Sequence, residues 1–147
     1  MKQLFNLRIL LTILSVCYCI VSCKSKKEKN TRHIQAITIA TVDYDYSGCF
    51  SSGKSKLVIY KIGNSTLARL ENDGKLAVRV ELFPWQIDSF RMFINNLREF
   101  KEGGYCTTVS HYSANLENEQ INRTDRSCGW EGFTKLKNNL FGSEFSQ

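Results

Sequence analysis

Histidine is the scarcest reactive residue type here, because the 147 residues contain only His33 and His111. Neither lies at metal-ligand spacing from a cysteine or from the other histidine, which excludes the usual zinc patterns. A cysteine nucleophile would need a histidine base, and Cys49 with His111 would be the candidate pair. His111 falls within a predicted strand, however, without an orienting partner near it in sequence. We therefore predict no catalytic residues, no metal, no cofactor and no enzyme activity.

The chain has a formal net charge of +6, but positive and negative charges balance after residue 32. Seven of the 20 Lys and Arg residues, but only one of the 14 acidic residues, precede residue 33. Residues 33–147 thus carry 13 charges of each sign and are neutral. Nucleic-acid-binding domains depend on a basic surface. We therefore predict no nucleic-acid partner.

The apolar run at 9–21 is too short to be interpreted as a membrane span. Lys2 and Arg8 precede it, as in secretory signal peptides. The run ends on Ile20-Val21-Ser22-Cys23, which resembles the lipobox of bacterial lipoproteins. This resemblance implies that residues 1–22 are a signal peptide, that Cys23 carries a diacylglycerol on its sulfur, and that its new amine is acylated.

The segment that follows contains Cys23 and a basic tether, together residues 23–32. Positions 24–32 offer no apolar residue to bury, which is typical of a flexible linker. Each Lys or Arg there can contribute roughly 1 kcal/mol of attraction to anionic headgroups. In lipoproteins of this type an Asp after the lipidated Cys often signals inner-membrane retention, whereas this chain has Lys24. The expected location is the cell envelope, lipid-anchored in the outer membrane and facing the periplasm, with export to the cell surface as the alternative.

Residues 33–147 are of single-domain size and show alternating strand and helix patterns. Segments rich in β-branched residues predict strands at 34–42, 56–62, 66–70, 75–82, 105–116 and 120–124. Pro84 opens a predicted helix that ends before Gly103-Gly104, and a second helix is predicted over about 129–141. We predict an α+β domain in which an antiparallel sheet of about five to six strands packs two helices on one face.

A phosphate-loop pattern, G-x-x-x-x-G-K-S, occurs at residues 48–55. Such a loop binds phosphate because its amides and the N-terminus of the next helix converge on the anion. Here residues 56–60 are strand-like instead. We interpret the match as coincidental and predict no nucleotide ligand.

Three cysteines remain in the predicted domain: Cys49, Cys106 and Cys128. An oxidising compartment favours a disulfide, and three pairings are possible. We favour Cys106–Cys128, which would link the start of the last hairpin to the start of the last helix. Cys49 would then be the unpaired thiol, either buried or available for an intermolecular bridge.

The candidate binding residues are Asp43, Tyr44, Asp45, Tyr46 and Phe50, in a loop predicted to leave the sheet at 43–50. Tyrosine presents an apolar body with a polar tip, which suits protein or sugar contacts. Alternatively, one tyrosine packs over the sheet edge while the acids only solvate a turn.

The surrounding stretch, 48–60, is similar to uncharacterised periplasmic domains that place a Cys-Phe loop before a Tyr-containing strand, a similarity that implies no activity. We predict a non-catalytic binding or inhibitory protein of immunity type, with a protein partner in the envelope. The alternative is a structural or assembly lipoprotein that holds a larger complex by its sheet face.

Overall fold

The computed structural model describes residues 35–143, and the predicted signal peptide, Cys23 and the whole tether lie outside them. The elements in chain order are β1 (Ile37–Ser47), β2 (Ser52–Ile62), β3 (Ser65–Asn72), β4 (Lys75–Glu81), α1 (Pro84–Glu99), β5 (Val109–Leu116), β6 (Glu119–Asp125) and α2 (Gly132–Phe141). The six strands form one antiparallel sheet with the order β4-β3-β2-β1-β5-β6. The predicted α+β class is confirmed.

Tight turns join the second strand to the third and the third strand to the fourth. Gly63 and Asn64 connect β2 to β3, while Asp73 and Gly74 connect β3 to β4. Both residues of the second turn have positive φ, 49° and 77°. Positive φ at both central positions is the conformation that matches the twist of a two-residue hairpin.

Strand β1 is longer than predicted, and the predicted loop at 43–50 is wrong for residues 43–47. Residues 43–46 pair with β2 on one side and with β5 on the other. The run Asp-Tyr-Asp-Tyr is itself a period-2 pattern, which places the two side-chain types on opposite faces of a strand. Two neighbouring strands satisfy its backbone, and this outweighs the low strand propensity of Asp.

Strand β2 likewise begins at Ser52 rather than at 56. Residues 53–55 of the phosphate-loop pattern therefore pair with β1, and more strand follows them. Their amides belong to the sheet and do not converge on an anion in the way that a phosphate loop requires.

The hydrophobic core lies between one face of the sheet and the two helices. The sheet contributes small and branched residues at its centre, among them Val42, Leu57 and Leu70, each fully buried. The helices contribute Phe90, Phe93, Ile94, Leu97, Phe133, Leu136, Leu140 and Phe141. Both helices therefore pack on one face, as predicted. None of the helices within residues 35–143 is long and apolar enough to cross a membrane.

Gln86 joins the two helices from inside the core, with 7% of its surface exposed. Its Nε2 donates to the carbonyl oxygens of Asn139 at 3.2 Å and Leu140 at 3.0 Å, near the C-terminus of α2. Its Oε1 accepts from the N–H of Phe83 at 2.9 Å, just before α1 begins. One side chain thus satisfies backbone groups at an end of each helix, where intrahelical partners are missing.

The predicted disulfide between Cys106 and Cys128 is present, with a Cα–Cα distance of 5.7 Å. Cys106 also donates its N–H to the carbonyl oxygen of Arg126 at 2.8 Å. The disulfide and this hydrogen bond hold the segment before β5 as an ordered loop. Strand β5 therefore starts at Val109 rather than at the predicted 105. Cys49 is free and exposed.

Candidate functional site

The predicted binding residues of β1 lie on two different faces of the sheet. Tyr44 pairs with Ser55 and Tyr112, on the face that the helices cover. Asp43 and Asp45 alternate with the tyrosines and therefore point to the opposite face. The expectation that these four side chains stand together on one loop is wrong, because β1 continues through them.

The aspartates contribute to a polar, partly solvated face. Asp43 forms an ion pair with Lys56 across β1 and β2 at 3.3 Å, and both side chains are almost half exposed. Such pairs contribute at most about 1 kcal/mol. Asp45 is aligned with His111 on β5, and His111 Nδ1 lies 3.1 Å from Thr124 Oγ1. Within residues 35–143, no group of three or more His, Cys, Asp or Glu is arranged to hold a metal.

The tyrosines belong to an aromatic cluster beneath α2. Tyr44 stacks on Phe133 with a centroid distance of 4.7 Å and lies 5.1 Å from the ring of Tyr112. Its hydroxyl is 3.5 Å from Ser110 Oγ. Burial raises the pKa of Tyr112, which keeps that phenol neutral. Tyr44 thus has a packing role, which agrees with the alternative interpretation for one of the two tyrosines.

Tyr46 lies further along the strand, 5.9 Å from the ring of Tyr44, at the edge of a cavity of about 330 Å³. Its ring covers Gly53 so closely that a Cβ at Gly53 would lie 2.9 Å from it. Ser55 and Asn72 form part of the lining, and Ser55 Oγ donates to Asn72 Oδ1 at 2.9 Å. The volume falls within the range of small-ligand sites.

Lys137 lines the same cavity from α2 and is only 8% exposed. It occupies a place in the apolar stripe of the helix, four residues after Phe133, and its ammonium lies 5.6 Å from that ring's centroid. Among the described residues no carboxylate forms an ion pair with it. Burial lowers the pKa of Lys137. Sequence reasoning missed it, although a lysine on an apolar helix stripe is a signal that could have been found.

Two fully exposed aromatic side chains, Phe50 and Tyr105, stand on the loops that precede β2 and β5. Phe50 is in the β1–β2 hairpin tip, and Tyr105 immediately precedes the disulfide-bonded Cys106. The two loops touch, since a Cβ placed on Gly48 would lie 2.7 Å from Thr108 Oγ1. Of the predicted binding residues, Phe50 therefore has the exposure that a partner contact needs, and Tyr105 was not predicted.

The end of the sheet where β1 stops and β2 starts thus presents the exposed Phe50, the loop that carries Tyr105, and a cavity that Tyr46 and Lys137 line. We refer to Phe50, Tyr105 and the cavity lined by Tyr46 and Lys137 as the tip site. Comparisons of the chain with models of protein families, with curated proteins and with solved structures find no match.

Proposed function

We propose that this protein is a lipid-anchored envelope protein that binds a protein partner through the tip site and performs no catalysis of its own. The observation that carries the proposal is the full exposure of Phe50 and Tyr105 on two loops in contact. Aromatic anchors supply a large share of binding energy at protein interfaces.

The loops that present these aromatics are held in place before a partner arrives. The disulfide and the hydrogen bond from Cys106 to Arg126 fix the loop that carries Tyr105. Gly48 N–H donates to the carbonyl oxygen of Ser51 at 2.9 Å, which closes the hairpin tip. A preorganised surface loses less conformational entropy on binding, which favours affinity. This supports an inhibitory or immunity-type role, in which a small protein must block a partner tightly.

The lipid anchor on Cys23 belongs to the same proposal and has its own test. The Cys23→Ala protein should lose metabolic palmitate labelling and should no longer fractionate with membranes. The matched control is Cys49→Ala, which removes the free cysteine of the described domain and should keep both properties. Unchanged labelling of Cys23→Ala would contradict the anchor.

Partner binding is tested by affinity capture from an envelope extract with the full, lipidated chain as bait. Replacing Phe50 and Tyr105 together by serine should reduce capture at least tenfold, since interface aromatics each contribute about 1–2 kcal/mol or more. The control is Leu76→Ser on edge strand β4, which removes an exposed apolar side chain three strands away from β1. Equal capture by the native chain and by the double variant would refute the tip site as the interface.

The alternative, an assembly lipoprotein, is favoured by one observation: the sheet face opposite both helices carries Asp43 and His111 together with the apolar Val58 and Tyr60, outside the core. Such a protein would keep its partner in the aromatic double variant and lose it when this opposite face is changed, for example by Asp43→Lys with His111→Glu. A resident membrane complex as the captured partner would agree with this role, whereas a secreted hydrolase or toxin would agree with the inhibitory one.

A further inference from the structure

We propose that the cavity of the tip site binds a single carboxylate group, with Lys137 as its counter-ion. The inference rests on the proposed function, because it names the chemical group that the tip site would recognise in its ligand. The cavity measures about 330 Å³ and opens beside Tyr46, next to the hairpin tip that presents Phe50.

The first argument is the unpaired state of Lys137. Most of the Lys137 side chain is buried, while its ammonium keeps solvent access, and lysine seldom occupies so covered a position without a charged partner. In the described part of the chain, Lys137 contacts the Phe133 ring and makes no hydrogen bond or ion pair. An anion that entered the cavity would supply the missing partner and would favour the charged state of the lysine.

The second argument is the desolvation cost of a lysine in the apolar stripe of α2. Its position on α2 lies in the stripe that otherwise buries Phe133, Leu136 and Leu140. An apolar side chain there would extend the core without the desolvation penalty. Lysine is therefore a residue that packing does not explain, and it faces a cavity rather than the closed core.

The charge of the ligand follows from the charges around the cavity. Two lysines border it: Lys137, whose side chain is mostly covered, and Lys54, which is exposed and lies in a strand next to Gly53. Among the described residues the only acidic one on the lining is Asp73, which accepts a hydrogen bond from the N–H of Lys54 at 3.3 Å. Two cations and one carboxylate leave the described lining with a net charge of +1, which balances a monoanion. A phosphate, with close to two charges at neutral pH, exceeds this net charge.

The polar lining suits the oxygens of a carboxylate and its neighbouring groups. Ser55 and Thr134 bring hydroxyl groups to the cavity, and Asn72 brings an amide. Tyr46 provides an aromatic wall on the side of the hairpin. The carboxylate can come from an acidic side chain of a protein partner or from a free sugar acid, and the experiment distinguishes these sources.

The test is a titration of the full chain labelled with ¹³C at the lysine Cε, followed by NMR. The Lys137 signal is identified by its loss in Lys137→Met. The peptide arm compares N-acetylglutamate N-methylamide with the corresponding glutamine compound, and the sugar arm compares glucuronate with glucose. We expect a saturable shift of the Lys137 signal with one of the two carboxylates and at least tenfold weaker binding of its neutral counterpart.

Two variants on the same helix complete the design. Lys137→Met should weaken binding of the active carboxylate at least tenfold, followed through the other lysine signals and by calorimetry. Lys135→Met makes the same charge change at an exposed position, where the side chain pairs with Glu131 at 3.6 Å, and should bind as the native chain does. Saturation in the peptide arm assigns the carboxylate to a protein partner, and saturation in the sugar arm assigns it to a sugar acid.

The inference is overturned if neither carboxylate gives a saturable shift, if each neutral compound binds as well as its carboxylate, or if Lys137→Met binds like the native chain. These failures are separable from failure of the proposed function. If partner capture depends on Phe50 and Tyr105 but persists in Lys137→Met, the proposed partner binding is supported and carboxylate binding by Lys137 is refuted. If capture does not depend on Phe50 and Tyr105, the proposed function is refuted, whereas the NMR titration still tests whether the cavity binds a carboxylate.

Discussion

Gln86 offers the sharpest test of how the two helices are held together. Replacing it by methionine preserves length and approximate volume and removes all three of its hydrogen bonds. Each such bond contributes about 1 kcal/mol net. Water can replace the partner of the exposed Phe83, whereas the carbonyl of the buried Leu140 would lose a donor. After partial compensation by the apolar methionine, we expect the free energy of unfolding to fall by about 2 kcal/mol.

The measurement is equilibrium unfolding in urea, followed by tryptophan fluorescence and far-ultraviolet circular dichroism. Coincident transitions are required before the free energies are compared. Gln120→Met is the matched control, because Gln120 is exposed on β6, and a change within about 0.5 kcal/mol is expected there. Equal stabilities of the two variants would refute the reasoning that Gln86 joins the helices.

A second substitution separates donation from packing. Gln86→Glu keeps the acceptor for Phe83 but loses both donors and turns a carboxylate toward the carbonyl oxygens of Asn139 and Leu140. It should therefore be less stable than Gln86→Met at neutral pH. A carboxyl in such surroundings has a pKa above its unfolded value, so stability is regained as the pH falls and the group becomes protonated. If the stability of Gln86→Glu does not recover at low pH, the hydrogen bonds that Gln86 Nε2 donates are not the source of its stabilising effect.

Three further predictions concern the disulfide loop and the cavity. Replacing Cys106 and Cys128 by alanine should lower the free energy of unfolding by about 3 kcal/mol, since the bridge spans 22 positions, as measured by urea unfolding. Gly104→Ala should cost at least about 2 kcal/mol in the same assay, because its φ is +102° and a Cβ would collide with backbone, while Gly103→Ala meets open space and should be near neutral. Burial lowers the pKa of Lys137 in the folded state, so at high pH the unfolded chain holds a proton on this lysine that the folded chain has lost. The free energy of unfolding of the native chain, relative to that of Lys137→Met, should therefore rise in urea unfolding as the pH approaches the ordinary lysine pKa of 10.5.

The sequence predicted most of the sheet because its signals were local. Alternation in β4 and the turn residues Asp73 and Gly74 are readable without knowledge of the partners. The disulfide was predictable because the three cysteines of the predicted domain allow three pairings, and Cys106 and Cys128 stand at the starts of predicted elements. These elements need no information about which surfaces meet.

The course of β1 was mispredicted because its evidence is non-local. Asp43 and Asp45 weaken a strand when they are judged alone. In the fold, Asp43 faces Lys56 on β2 and Asp45 is aligned with His111 on β5. Only the pairing of three strands shows that the aspartates lie on a solvated face while Tyr44 packs against the core and Tyr46 lies at its margin.

Gln86 and Lys137 were missed for a related reason. Each is a polar residue at a position whose helical spacing favours burial, and each would be assigned to solvent by composition alone. Gln86 is explained once α2 ends beside it, through its bonds to Asn139 and Leu140. Lys137 finds no such partner in the described residues, which distinguishes a candidate binding group from a structural one.

The tip site lies at the margin of the part of β1 that α2 covers. Phe133, near the start of α2, stacks on Tyr44, whereas Tyr46 lies two residues further along β1, 5.9 Å from the Tyr44 ring. A cavity at this margin can accept a ligand without disruption of the core, because Phe133 already seals the core behind it. Lengthening the hairpin tip should therefore be tolerated by the fold, whereas filling the margin, as in Gly53→Ala, should displace Tyr46 and reduce binding at the cavity.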